Sequence, residues 1–138
     1  MLASRPEYAD RSKLHGIALG ETVGEVNMFG AVIVDKENCP SYALNDRTRI
    51  IKQKQLDNFN FENVDYIKID VEGHELNVLK GGIETLQRCR PVVVIEQNHI
   101  TEDYNKGKKF DALHYLRSLG YEVVAFDSCT DYVLKYKS

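Results

Sequence analysis

The segment from Val64 to Ile95 constrains the fold most strongly, because its apolar pattern changes from that of a strand to that of a helix and back. Val64 to Val71 is a β-rich, alternating run that ends in an acidic, glycine-containing turn. Apolar residues at helical spacing follow the turn, namely Leu76, Leu79, Ile83 and Leu86. Val92 to Ile95 is a β-branched run typical of a strand buried on both faces in a parallel sheet. The segment predicts strand, turn, helix and strand, with Gly81 and Gly82 marking a bend or close packing in the helix.

The C-terminal part of the chain continues this alternation of strands and helices. Lys109 to Leu119 carries an apolar helical face, and Gly120 stands at the position that commonly ends a helix. Tyr121 to Phe126 and Tyr132 to Tyr136 are β-rich runs separated by a short loop, which predicts an antiparallel hairpin. The predicted fold class is therefore α/β, a largely parallel sheet with flanking helices and a C-terminal antiparallel hairpin.

Short apolar runs in the N-terminal part also predict strands. Lys13 to Leu19 and Gly24 to Phe29 are separated by a glycine-bounded turn, and Arg49 to Gln55 is a third candidate strand. Asn38 to Arg47 is polar, contains a proline and is predicted to be a loop. No repeat or linker divides the chain, so residues 1–138 are expected to form a single domain.

Composition and charge exclude several classes of protein. The net charge is −3, from 18 Lys and Arg against 21 Asp and Glu, whereas a nucleic-acid module usually carries a basic excess. No apolar run approaches the ~20 residues of a membrane-spanning helix. Cys39, Cys89 and Cys129 are too few and too widely spaced for a disulfide framework or a metal knuckle. We therefore expect a cytoplasmic protein with reduced thiols that binds neither nucleic acid nor a membrane.

Acidic residues follow both central strands, at the edge of the sheet where ligands bind in open α/β folds. Asp70, Glu72 and Glu75 cluster after the first of these strands, and Glu96 ends the second. The alternative for Glu72 and Glu75 is a favourable interaction with the macrodipole in the first turn of a helix. His74 lies in the same turn, and an imidazole suits the role of a general base near neutral pH. The sequence contains no nucleophile elbow and no phosphate-binding loop, so a serine hydrolase or an NTPase has no support.

These residues carry a resemblance to a known family. IKIDVEGHELNVLKGG, Ile67 to Gly82, followed by RPVVVIEQN, Arg90 to Asn98, resembles the signature of the FkbM-type family of S-adenosylmethionine-dependent methyltransferases. LDNF, Leu56 to Phe59, and ALGETVGEV, Ala18 to Val26, also match that family in order and approximate spacing. The resemblance covers most of the chain from about Lys13 onward. It implies S-adenosylmethionine as cofactor and a small-molecule acceptor, such as a hydroxyl of a sugar or secondary metabolite.

The resemblance also implies roles for individual residues. Asp70 and Glu72 would line the cleft in which the transferred methyl group meets its acceptor, and Glu96 would face the same cleft. Asp70 would also contact the cofactor, while Ala18 and Leu19 would lie near its adenine.

Two chemical roles are open to the acidic residues. A base drawn from Asp70, His74 or Glu96 would contribute about 10² to 10⁴ in rate, whereas positioning supplies about 7–11 kcal/mol. Alternatively, the oxygens of Asp70, Glu72 and Glu96 would suit Mg²⁺, which would acidify the acceptor hydroxyl. No ligand spacing in the sequence identifies a metal site, so Asp70, Glu72, His74 and Glu96 are assigned as catalytic residues and no metal ligand is assigned.

The chain departs from the family pattern at its N-terminus. Met1 to Ser12 contains no glycine and no predicted strand, whereas the family pattern has a glycine-rich cofactor turn ahead of these elements. We therefore expect the chain to resemble the C-terminal part of a methyltransferase domain, an incomplete copy that binds the cofactor weakly or not at all. The alternative is a non-catalytic remnant or assembly module that retains the sheet without binding the cofactor. A Mg²⁺-dependent nuclease ranks lowest, because such an enzyme would need a lysine two residues after Glu96, and the residue at that position is Asn98.

The family plan also predicts an assembly. It places the strand at Val64 to Val71 between the first and fifth strands, so a chain without the first leaves one backbone edge unpaired. Either the N-terminal strands fill that vacancy or a second copy supplies a strand. We expect a homodimer, because closed symmetric dimers are the commonest oligomers.

Overall fold

The computed structural model describes residues 10–29, 32–34, 48–97, 110–127 and 130–138, which form eight strands and three α-helices. The strands are β1 (Ala18–Leu19), β2 (Gly24–Phe29), β3 (Val32–Val34), β4 (Thr48–Lys54), β5 (Tyr66–Ile69), β6 (Val92–Glu96), β7 (Tyr121–Phe126) and β8 (Asp131–Tyr136). The helices are α1 (Glu75–Lys80), α2 (Ile83–Cys89) and α3 (Asp111–Ser118), and a 3₁₀ helix spans Leu56–Phe59. The loop predicted at Asn38 to Arg47 lies outside the described residues. Within the described parts, no helix is long and apolar enough to cross a membrane.

The strands form two mixed sheets rather than one largely parallel sheet. The first sheet has the order β1-β4-β2-β3, and the second has the order β5-β6-β8-β7. In each sheet one neighbouring pair is parallel, β1 with β4 and β5 with β6, and the other pairs are antiparallel. The α/β class is confirmed, but the prediction of a largely parallel sheet is wrong.

The second sheet becomes mixed because β8 lies between β6 and β7. The α3 helix connects β6 to β7 along the chain, but the short loop after β7 reverses the backbone. As a result β8 pairs antiparallel with both of its neighbours. The predicted C-terminal hairpin is thereby confirmed, and its second strand begins one residue earlier than expected, at Asp131.

The N-terminal strands build the first sheet, which the sequence did not predict. Strand β4 pairs parallel with β1 and antiparallel with the whole of β2. Among the described strands, none from the first sheet pairs with β5, which lies at the edge of the second sheet. The alternative to a homodimer, in which the N-terminal strands fill the vacant edge of this strand, is therefore wrong.

Two glycines break the predicted helix and bring it against the first sheet. The helical stripe is split into α1 and α2, with Gly81 and Gly82 between them. A Cβ atom on Gly81 would overlap the carbonyl oxygen of Gly20, and one on Gly82 would lie 2.8 Å from Leu56 Cδ2. The predicted bend with close packing is confirmed.

The core lies between the second sheet and the helices. The apolar stripe of α1 and α2 is buried, with Leu79 and Leu86 each 1% exposed. In β6 the three consecutive residues Val93 to Ile95 are buried, which confirms a strand covered on both faces. Other buried core residues are Ile69, Val78, Ala112, Leu113, Leu116, Tyr121 and Leu134.

Asp57 fixes the start of α2 from a distant part of the chain. Its Oδ2 accepts the backbone N–H of Glu84 at 3.0 Å, and its Oδ1 accepts the N–H of Thr85 at 2.8 Å. The Thr85 hydroxyl donates to the same Oδ1 at 2.7 Å. The LDNF segment therefore caps a helix, because carboxylate oxygens satisfy the first N–H groups that have no intrahelical partner.

Candidate active site

A cavity of about 570 Å³ lies where the first sheet meets β5. Its volume falls within the range of about 300–1,000 Å³ that is typical of small-molecule sites. Most of its lining is apolar, and Lys68 and Asp70 are the two lining residues that carry a full charge near neutral pH. The first sheet and the residues before it contribute His15, Gly16, Ile17, Ala18, Leu19, Met28, Ile33 and Ile51. The opposite wall consists of Leu56, Ile67, Lys68, Ile69, Asp70, Val71 and Val78.

The three residues that the resemblance associates with the cofactor all line this cavity. Ala18 and Leu19 form β1 on one wall, and Asp70 directly follows β5 on the other. The close approach of Gly20 to Gly81 holds these walls together, since Gly20 follows β1 and Gly81 ends α1. The structure thus brings together residues that are far apart in the sequence.

Three carboxylates meet beside the cavity. Asp70, Glu72 and Glu96 each offer an oxygen, and these oxygens all lie within 4.8 Å of one another. The parallel register explains the meeting, because Ile69 pairs with Ile95 and the next residue of each strand is an acid. Asp70 and Glu72 are exposed, whereas Glu96 is half-buried and accepts the Thr130 hydroxyl at 3.2 Å. Such a group of like charges attracts a cation or a hydroxyl donor.

Glu75 turns away from this cluster and into the protein. It is 2% exposed, and its Oε1 accepts the backbone N–H of Val71 at 3.2 Å and that of Gly73 at 3.1 Å. Burial raises the pKa of the Glu75 carboxyl, with a smaller contribution from the negative charge of Asp111, and the backbone hydrogen bonds partly oppose this rise. Glu75 therefore lies in the first turn of α1. This agrees with the alternative prediction for this residue, a place in the first turn of a helix rather than in the acidic cluster.

His74 lies beside the carboxylates in sequence, at the N-cap position of α1. Its Nε2 lies 2.8 Å from Asn77 Nδ2, and burial lowers the pKa of the imidazole. A lowered pKa keeps the ring neutral near pH 7, which is the form that accepts a proton. Among the described residues, the cluster of mutually close ligand atoms contains no histidine, so the structure places His74 outside it.

The sequence did not identify most of the cavity wall. Lys68 lines the cavity, and its Nζ lies 3.9 Å from Asp131 Oδ2. Met28 and Ile51 face the cavity from β2 and β4. The alternation of apolar residues in these strands was a signal for a buried face. The cavity could be located only once the pairing of β4 with β1 was known.

Comparison with known proteins gives a consistent result. The sequence model of the methyltransferase FkbM domain matches residues 6–123 of the chain. The crystal structure of methyltransferase FkbM from Methylobacillus flagellatus KT has a similar fold, with a TM-score of 0.61 and 21% sequence identity. That likeness covers 97% of this chain and 31% of the other, so this chain spans less than a third of that protein's length. No curated protein matches the chain.

Proposed function

The chain belongs to the FkbM methyltransferase family, and from this membership we propose that it takes part in S-adenosylmethionine-dependent methyl transfer to a hydroxyl group of a sugar or secondary metabolite. One observation carries the proposal. Asp70 lines the cavity and its carboxylate also lies within 4.8 Å of those of Glu72 and Glu96. Asp70 therefore connects a cavity large enough for a ligand with a group of candidate bases.

The cavity fits the cofactor by size and by chemistry. Its volume of about 570 Å³ suits a nucleoside-sized ligand. The apolar wall at Ala18 and Leu19 suits the flat face of an adenine, and the carboxylate of Asp70 suits hydroxyl or amino groups. When bound, S-adenosylmethionine supplies a methyl group on a positively charged sulfur. The chain's own residues would bind and orient both reactants.

We assign proton removal from the acceptor hydroxyl to the carboxylates. Either Asp70 or Glu96 would accept a hydrogen bond from that hydroxyl and then its single proton, as the hydroxyl oxygen takes the methyl group that the cofactor supplies. The Thr130 hydroxyl, which donates to Glu96 Oε1, would keep that side chain oriented. Neutral His74 is a second candidate base from the same turn. Such a base contributes about 10² to 10⁴ in rate.

We propose Mg²⁺ as the alternative partner of the same carboxylates. In an octahedral Mg²⁺ site adjacent oxygen ligands lie about 2.9 Å apart and opposite ones about 4.2 Å apart. The oxygens of Asp70, Glu72 and Glu96 lie within 4.8 Å of one another, so the three groups would move closer together around the ion. These three residues would hold the ion, and a bound Mg²⁺ would lower the pKa of the acceptor hydroxyl.

An assembly module is the second candidate function, and the open edge of β5 favours it. In the described part of the second sheet β5 is an edge strand, and such edges pair readily with another chain. Antiparallel pairing of two copies centred on Ile67 would place Tyr66, which is 57% exposed, opposite Lys68 of the second copy. Pairing centred on Lys68 would instead place the Lys68 side chains of the two copies opposite each other, and their like charges would repel. We therefore propose a homodimer in the first register.

We also propose a cytoplasmic location and a small-molecule acceptor, with neither nucleic acid nor a membrane as partner. The net charge of −3 supports the exclusion of nucleic acid. Within the described residues Cys89 is a free thiol, as in a reducing compartment.

The test of the proposed function is transfer of labelled methyl groups from S-adenosylmethionine to a panel of sugars and other hydroxyl compounds. D70N and E96Q should lower turnover more than cofactor affinity, because each removes a candidate base, and E96Q should leave the affinity unchanged, because only Asp70 also contacts the cofactor. The matched control is E122Q on β7, whose carboxylate pairs with Lys137 at 3.5 Å on the surface. Equal loss of turnover and affinity would count against these roles. A chain that neither binds the cofactor nor transfers a methyl group to any acceptor would favour the assembly module, which keeps the sheet without a cofactor site.

A further inference from the structure

The turn between β5 and α1 adopts a backbone conformation that needs support from its surroundings. Glu72 has a φ of 53° and Gly73 a φ of 91°, so two successive residues occupy the left-handed half of the backbone map. Glycine tolerates this conformation, but a residue with a Cβ atom does so at a cost in free energy. Such a conformation persists where other contacts hold it.

Glu75 supplies that support from inside the protein. Its Oε1 accepts both the Val71 and the Gly73 N–H, which lie on either side of Glu72. An apolar side chain would fill the same buried position at a lower cost in desolvation, but it would leave these two N–H groups without this acceptor. Since one oxygen makes both bonds, the turn requires an acceptor atom at this position rather than a negative charge.

The same turn carries two of the three clustered carboxylates. Asp70 directly precedes Val71, and Glu72 lies between the two bonded residues. Glu96 comes instead from β6, where pairing with Asp131 of β8 fixes its backbone independently of the turn. Loss of the two hydrogen bonds would therefore release Asp70 and Glu72 while leaving Glu96 in place.

We propose that Glu75 is a positioning residue, which fixes the Val71–Gly73 turn and so holds the carboxylates of Asp70 and Glu72 against that of Glu96. The chemical task of the three carboxylates rests on the proposed function, but their placement does not. Burial and the nearby Asp111 raise the pKa of Glu75, which agrees with a role as acceptor that does not depend on charge.

The test uses three substitutions that separate the acceptor from the charge. E75Q keeps an acceptor oxygen at the same reach and removes the charge. E75D keeps the charge and shortens the reach by one methylene, and E75L removes both. The matched control is E84D, in the first turn of α2, where the side chain is exposed.

The first measurement reports placement without any activity. In a background in which the three native cysteines are replaced by serine, E72C and E96C are introduced and the rate of disulfide formation is measured under mild oxidation. E75Q and E84D should form the disulfide at the parent rate, and E75D and E75L at least tenfold more slowly. If E75L does not fold, E75D against E75Q decides the question. The proposal would be overturned if E75D formed the disulfide at the parent rate. It would also be overturned if E75Q folded but formed the disulfide as slowly as E75D.

The second measurement connects placement with the reaction. With native residues at positions 72 and 96, E75D should lower kcat at least tenfold and raise the KM for S-adenosylmethionine by a smaller factor, since Asp70 also lines the cavity, whereas E75Q should keep the parent kcat. A KM that rises as much as kcat falls would overturn the positioning role. If the unmodified chain transfers no methyl group, the proposed function fails, and the cross-linking rates alone decide the role of Glu75.

Discussion

The carbonyl oxygen of Gly20 occupies the space that a Cβ atom on Gly81 would fill. A backbone hydrogen bond fixes the position of each glycine. The Gly20 N–H donates to Lys54 O, and the Asp57 N–H donates to Gly81 O, both at 3.0 Å. The contact therefore joins the end of β1 to the end of α1, and it places the two walls of the cavity opposite each other.

Substitution G81A should destabilise the protein by about 3 kcal/mol or more, because the added methyl group meets backbone rather than a movable side chain. Urea denaturation followed by circular dichroism measures the effect. G24A is the matched control, since a Cβ atom at Gly24 meets nothing within 4 Å. Equal stability of the two variants would show that the two walls are not in contact at Gly20.

Substitution D57A should lower the free energy of unfolding by about 2 kcal/mol, because two N–H groups of α2 and the Thr85 hydroxyl lose their acceptor. D57N keeps an acceptor oxygen and should lose less. The same denaturation experiment compares them. A D57A variant as stable as the parent would mean that this cap does not form in solution.

The buried carboxyl of Glu75 should make stability depend on pH. Its pKa is raised in the folded state, so its contribution is present below the unfolded pKa of about 4.5 and is lost as pH rises through the folded pKa. E75Q cannot ionise and should therefore gain stability relative to the parent as the pH rises above about 4.5. Urea denaturation across this range measures the difference, and a constant or falling difference would contradict the assignment.

If Asp70, Glu72 and Glu96 hold Mg²⁺, methyl transfer should disappear in the presence of a chelator and return when Mg²⁺ is added. Measuring transfer before and after dialysis against the chelator makes this comparison. Activity that is indifferent to the chelator would leave the carboxylates as bases or hydrogen-bond partners.

The parts of the fold that the sequence predicted depend on local patterns. The burial of Val93 to Ile95 and the break at Gly81 follow from residue types within a few positions. The meeting of Asp70 and Glu96 follows almost as directly, because parallel strands end at one edge of a sheet.

The parts that escaped prediction depend on contacts between distant segments. The first sheet was missed because β1 has only two residues and gains its place by pairing with β4. The cap at Asp57 acts on Glu84, 27 residues away, and has no local signal. Glu75 has the same residue type as Glu72, and only the direction of the chain after the turn decides which of them is buried.

The most direct test of the central claim is an amide NMR titration of the chain with S-adenosylmethionine. Signal changes should be confined to the cavity, at Ala18, Leu19 and Asp70. A18W, which fills the cavity, should abolish them, whereas V124W, at a 48% exposed position on β7, should not. Unchanged cavity signals at millimolar cofactor, or equal binding by A18W, would contradict the assignment of this cavity to the cofactor.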